Sequence, residues 1–92
     1  FVNFNGSTME INDSIGVEAV TTTGTGEYFI TLSSPIYKEP TVIVAQNTIY
    51  GYIANTTGSV DENTVFVGTA YYNAAGAGKY NSSYYSAVVF AS

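Results

Sequence analysis

Apolar and polar residues alternate over short runs along this chain, and no window carries the 3.6-residue periodicity of a helix. The pattern predicts strands. Phe1–Asn5 is a short one, closed by the turn dipeptide Asn5-Gly6. Thr8–Asn12 follows, with Met9 and Ile11 alternating against Glu10, and Asp13-Ser14 is expected to break it. Thr41–Asn47, Thr64–Tyr72 and Tyr84–Ala91 are rich in Val, Ile, Tyr and Phe and read as further strands. Thr48–Asn55 fits either a strand with a bulge at Gly51 or an ordered loop. Thr56–Asn63 contains Gly58, Asp61 and Asn63 and is expected to turn. Tyr72–Ser83, full of small and polar residues, is expected to be a loop.

Val17–Ser33 organises the rest. Two β-type runs flank Thr23-Gly24-Thr25-Gly26, and a type II′ turn at Gly24-Thr25 would pair Val20 with Phe29. That register puts Val17, Ala19, Thr21, Tyr28, Ile30 and Leu32 on a core face. It leaves Val20 and Phe29 as an apolar pair on the outer face, a candidate contact with a neighbouring chain. A hairpin cannot bury one face alone, so the other strands must cover it. About seven short strands at this spacing predict an all-β fold, an antiparallel β-sandwich or flattened barrel. Residues 1–92 form one domain, with no internal repeat and no linker. The start at Phe1, with Met9 the one methionine, suggests a C-terminal fragment of a longer polypeptide.

Composition narrows the function. A 92-residue chain buries only about 60–65% of its unfolded surface, and without cysteine it has no disulfide to compensate. Association with copies of itself is one remedy. Two lysines, no arginine and seven acids give a net charge of −5, which argues against nucleic acid and against anionic membrane surfaces. The longest apolar runs are far too short for membrane insertion.

Candidate chemistry is sparse. The absence of histidine and cysteine removes the common nucleophilic triads and ordinary zinc sites. The acid pairs Glu10 with Asp13 and Asp61 with Glu62 are the candidates for a polysaccharide-cleaving site, and they read more simply as turn and solvent residues. No Asp-x-Asp-x-Asp loop for calcium occurs, so neither cofactor nor intrachain metal is expected. The stronger signal is tyrosine: Tyr50, Tyr52, Tyr71, Tyr72, Tyr80, Tyr84 and Tyr85 cluster in or beside 48–55 and 72–83. A tyrosine ring offers a flat apolar face and a hydroxyl, which suits sugar stacking and protein interfaces alike. Asn47, Asn73, Asn81 and Lys79 could add hydrogen bonds. Strand alternation nevertheless buries one of each adjacent tyrosine pair.

Val2-Asn3-Phe4-Asn5-Gly6 resembles the Trp-Val-Asn-Phe-Asn/Asp-Gly opening of a domain common at the C-terminus of bacteriophage tail-fibre proteins. That family continues Asp-Ser-Phe-Asn-Val-Ser-Ser-Ile-Thr-Asp-Asn-Gly-Thr-Gly-Asp-Tyr. This chain has, without a gap, Asp13 through Tyr28, with Thr23 in place of the Asn before Gly-Thr-Gly. Phe1 stands where the family has Trp. The run after Pro40 and Val88-Val89-Phe90 are also similar, while most of 48–84 is not covered. The resemblance implies a trimeric antiparallel β domain at the distal end of a virion fibre. It would be joined to an upstream fibre shaft and would contact a bacterial surface polysaccharide or outer-membrane protein. The matched motif is structural, so no binding residue comes from it. The two tyrosine-rich segments are the expected recognition loops, with Asn47, Tyr50, Tyr52, Tyr72, Asn73, Lys79, Tyr80 and Asn81 as candidates.

Overall fold

A computed structural model describes residues 1–47, 52–73, 76–79 and 81–90. Among these residues the protein is all-β, with antiparallel sheets and no helix. The strands are β1 (Val2–Phe4), β2 (Ile11–Ser14), β3 (Val17–Gly24), β4 (Glu27–Leu32), β5 (Thr41–Gln46), β6 (Tyr52–Asp61), β7 (Thr64–Asn73), β8 (Gly76–Lys79) and β9 (Tyr85–Phe90). One sheet runs β2-β1-β9-β5 and the other β3-β4-β7-β6. β8 pairs with β7 on the edge that β4 leaves: β4 covers Thr64 to Gly68, and β8 covers Ala70 to Asn73.

The inner faces of the two sheets meet in one core. Phe4 and Tyr85 stack at a ring-centroid distance of 5.0 Å, and both lean on Tyr28 of the opposite sheet at 5.3 and 4.9 Å. Val2, Val20, Ile30, Leu32, Val65, Val67 and Ala87 complete the buried apolar set among the described residues. Each fully buried large side chain of this kind contributes about 1.5–3 kcal/mol. All but Val20 fall at every second position of β1, β4, β7 and β9, so strand alternation selects them.

The hairpin of β3 and β4 forms where expected, but with another register. Val20 pairs with Ile30 and Thr21 with Phe29. β3 carries two extra residues, at Glu18 and Thr23, where its register slips against β4. The bend centres on Thr25-Gly26, and the positive φ of 71° belongs to Gly26 at its second central position, where a type II turn needs it. The Thr23 slip exchanges the faces of β3. Val20 is therefore a core residue, only 7% exposed, and is not available to a neighbouring chain. The Glu18 slip lets Val17 also turn inward, although it lies three residues from Val20. Phe29 stays on the outer face, half-buried against the Phe66 ring at 5.3 Å.

Three further expectations change. Asp13 and Ser14 belong to β2 rather than ending a strand, since β1 holds them opposite Asn3 and Val2. The expected turn at 56–63 is the body of β6, and the chain reverses only at Glu62-Asn63. β6 is an edge strand, where Gly58 and polar residues are tolerated because one side meets water. The expected loop at 72–83 contains the end of β7 and all of β8.

The strand directions define two ends. Phe1, the β2–β3 corner, the β6–β7 turn and Phe90 lie at the lower end. The 5–10 turn, the β3–β4 bend, Asn47 and the 81–84 segment lie at the upper end, with the β6–β7–β8 ribbon extending past them. The ten-residue strands β6 and β7, about 33 Å long at about 3.3 Å per residue, account for most of the 41 Å long axis.

Candidate functional site

The upper end is built around a glycine. Asn5 begins the β1–β2 turn as an Asx turn, its Oδ1 accepting the N–H groups of Ser7 at 2.8 Å and Thr8 at 3.2 Å. This directs Gly6 into the core, where its N–H donates to the Ser82 carbonyl at 2.8 Å. A methyl on Gly6 would fall inside contact distance of the Tyr85 ring, the Ser82 carbonyl and the Tyr28 hydroxyl. The Tyr28 hydroxyl lies 2.9 Å from the Gly6 carbonyl and 2.6 Å from Asn81 Oδ1, within hydrogen-bond distance of both. Asn81 Oδ1 also accepts the Gly26 N–H at 2.6 Å. Ser82 is fully buried; its Oγ lies 2.6 Å from the Asn47 carbonyl and accepts the Tyr84 N–H at 3.2 Å. Four chain segments are thereby tied together.

Most of the sequence-predicted recognition residues gather above this knot. Asn47 is exposed at the end of β5, with its carbonyl held by Ser82. Tyr52 opens β6 opposite Tyr72 of β7, and Asn73 pairs with Gly76 across the β7–β8 turn. Tyr50 and Tyr80 lie outside the described residues, as do 48, 49, 51, 74 and 75. Asn81 has a different character from the one expected of it. Its carbonyl oxygen is engaged with Gly26 and Tyr28, so it anchors the loop it was expected to present.

Lys79, at the end of β8, reaches across the seam between β8 and β4 to Glu27 at 2.8 Å. Its hydrogen bond and positive charge hold the Glu27 carboxyl below the ordinary carboxylate range. This exposed pair borders a shallow groove of about 230 Å³ on the outer face of the second sheet. Phe66 forms part of its floor, lying across the bare backbone of Gly68, and Ala54 and Thr56 form the far side. Sequence reasoning missed Glu27, Thr56 and Phe66 as neighbours of Lys79. The pairing of β4 and β8 along one edge of β7 brings them together, and no local pattern encodes that pairing.

The arrangement offers hydrogen-bonding groups, an exposed ion pair and aromatic surface. The acids considered for hydrolysis are in structural use in one case: Asp61 Oδ1 accepts the Asn63 N–H at 2.8 Å and shapes the β6–β7 turn. Among the described residues no three acidic side chains gather into a possible metal site. Comparison of the chain with protein-family models, with curated proteins and with solved structures finds no match.

Proposed function

We propose that this chain is a host-attachment module at the distal end of a phage tail fibre. In this reading it binds a bacterial surface glycan or protein non-covalently. The observation that carries it is one of placement. Asn47, Tyr52, Tyr72, Asn73 and Lys79 lie at or beyond the upper end, while Phe1, where a fibre shaft would join, lies at the lower end. The sequence resemblance supports the same reading, since its motif residues Phe4, Gly6, Gly26 and Tyr28 are those that build the knot at this end. The lack of histidine and cysteine and the structural use of Asp61 favour binding over catalysis.

Assembly as a homotrimer belongs to the same proposal. Val20 no longer supports it, but an uncharged row on the outer face of the first sheet does. Ile43 and Phe90 are 57% and 56% exposed, and Val88 pairs with Ile43 across β5 and β9. This row also favours a second reading, in which the domain caps and trimerises a fibre without touching the host. In the first reading, weak contacts at each tip multiply through several tips.

The discriminating experiment measures binding of the purified chain to bacterial cells and to a panel of surface glycans. Tyr72→Ala and Lys79→Ala are expected to reduce binding roughly tenfold or more, as for loss of an interface contact worth at least about 1.4 kcal/mol, with circular dichroism unchanged. Normal binding by both variants would overturn the site. Absence of binding by trimeric protein to any surface would favour the structural reading.

A further inference from the structure

Asn5-Gly6 is the one Asn-Gly pair in the chain. Such a pair is chemically fragile, because glycine offers an unhindered nitrogen to the preceding side chain. The Gly6 nitrogen, once deprotonated, attacks Asn5 Cγ and closes a five-membered succinimide. Ammonia leaves and carries the displaced proton. Water then opens the ring at either carbonyl, giving aspartate or an isoaspartyl link whose main chain is one carbon longer.

In the folded domain every participant in this reaction is held away from it. The Gly6 N–H is buried and bound to the Ser82 carbonyl at 2.8 Å, so it is shielded from base. The Asn5 side chain is fixed by the Ser7 and Thr8 N–H groups. The Asn5 carbonyl accepts the Met9 N–H at 2.8 Å, so the Asn5–Gly6 peptide group is held on both sides, and the Gly6 carbonyl lies 2.9 Å from the Tyr28 hydroxyl. Tyr85, Ser82 and Tyr28 enclose Gly6 so closely that it has no space to shift and take up the longer main chain an isoaspartyl link would create at residue 5. We propose that Asn5 is a latent site of spontaneous modification that the fold keeps closed. The side chain cyclises onto Gly6 when the upper end opens, and the isoaspartyl product cannot be packed back. Opening of this end thus leaves a permanent chemical mark on the chain. Aspartate, by contrast, retains the main-chain length, and its carboxylate accepts the same two N–H groups.

The test incubates the full chain at mildly alkaline pH, folded and in denaturant, and follows Asn5 by peptide mapping with isoaspartate-specific labelling. The folded chain is expected to react on the order of a hundredfold more slowly, the ratio set by how rarely this region opens. Similar rates would overturn the protection. On removal of denaturant, isoaspartyl chains are expected to be excluded from the refolded fraction, and their recovery in it would overturn the packing argument. The Asn5→Asp variant is expected to refold. Its failure would assign the exclusion to charge rather than to chain length and would equally overturn it.

Discussion

The same strands close the core at both ends, but by different means. At the upper end Phe4, Tyr28 and Tyr85 interlock around Gly6, and the hydroxyls of Tyr28 and Ser82 reach main-chain carbonyls. At the lower end Val2, Val17, Leu32, Ile36 and Val89 surround a cleft of about 200 Å³ that opens beside Phe1 and Ile15. Aliphatic packing has no preferred direction and tolerates imperfect closure. A buried polar group tolerates neither displacement nor loss of its partner. The upper end is therefore the part of the core that fixes one arrangement of the chain, and the lower end contributes mainly buried area.

Adding carbon at the two ends sharpens this contrast most. Gly6→Ala places a methyl against a carbonyl, a ring and a hydroxyl, and is expected to cost about 3 kcal/mol or more. Ala87→Val adds a larger group where the residue borders the lower cleft, and is expected to change stability by less than about 1.5 kcal/mol. Urea denaturation of both variants measures the difference, and equal costs would break the comparison. Next in size is Tyr28→Phe, which keeps the ring and removes the hydroxyl facing Gly6 and Asn81. The buried Gly6 carbonyl loses this partner, and about 1–3 kcal/mol is expected to be lost.

The smallest effect belongs to the Glu27–Lys79 pair above the knot. The folded Glu27 carboxyl ionises at lower pH than the unfolded one. Its contribution is thus present above the ordinary carboxylate range and is lost as pH falls through the lowered value. Because the pair is exposed, the contribution is small and weakens with salt. Thermal melts of Glu27→Gln against the parent chain, taken from neutral to acid pH at low salt, are expected to converge as pH falls. Curves that separate further in acid would contradict the assignment.

Much of the fold was legible where a strand is regular and half-buried. In β4, the alternation of Glu27, Phe29 and Thr31 with Tyr28, Ile30 and Leu32 gives the buried face directly. β3 was not legible in the same way. Its slips at Glu18 and Thr23 carry no marker that distinguishes them from the surrounding Thr and Glu, and each shifts every later side chain to the other face. β6 was obscured because an edge strand made of Asn, Thr, Gly and Ser has the composition of a turn. At the candidate site, the position of Tyr72 and Lys79 at one end followed from segment order. The use of Asn81 and Ser82 as anchors did not, because their partners Gly26, Tyr28 and Gly6 lie more than fifty residues away in the chain.

β7 changes neighbours along a single edge, from β4 to β8, with Thr69 at the changeover. Among its described side chains, the buried residues Val65, Val67, Gly68 and Thr69 all precede the stretch that pairs with β8. Lengthening β7 and β8 by matched pairs of residues at their shared turn would therefore extend the ribbon outward and leave those interior contacts intact. The hairpin is a place where new sequence can be grafted and diversified, while the scaffold that carries it keeps its shape.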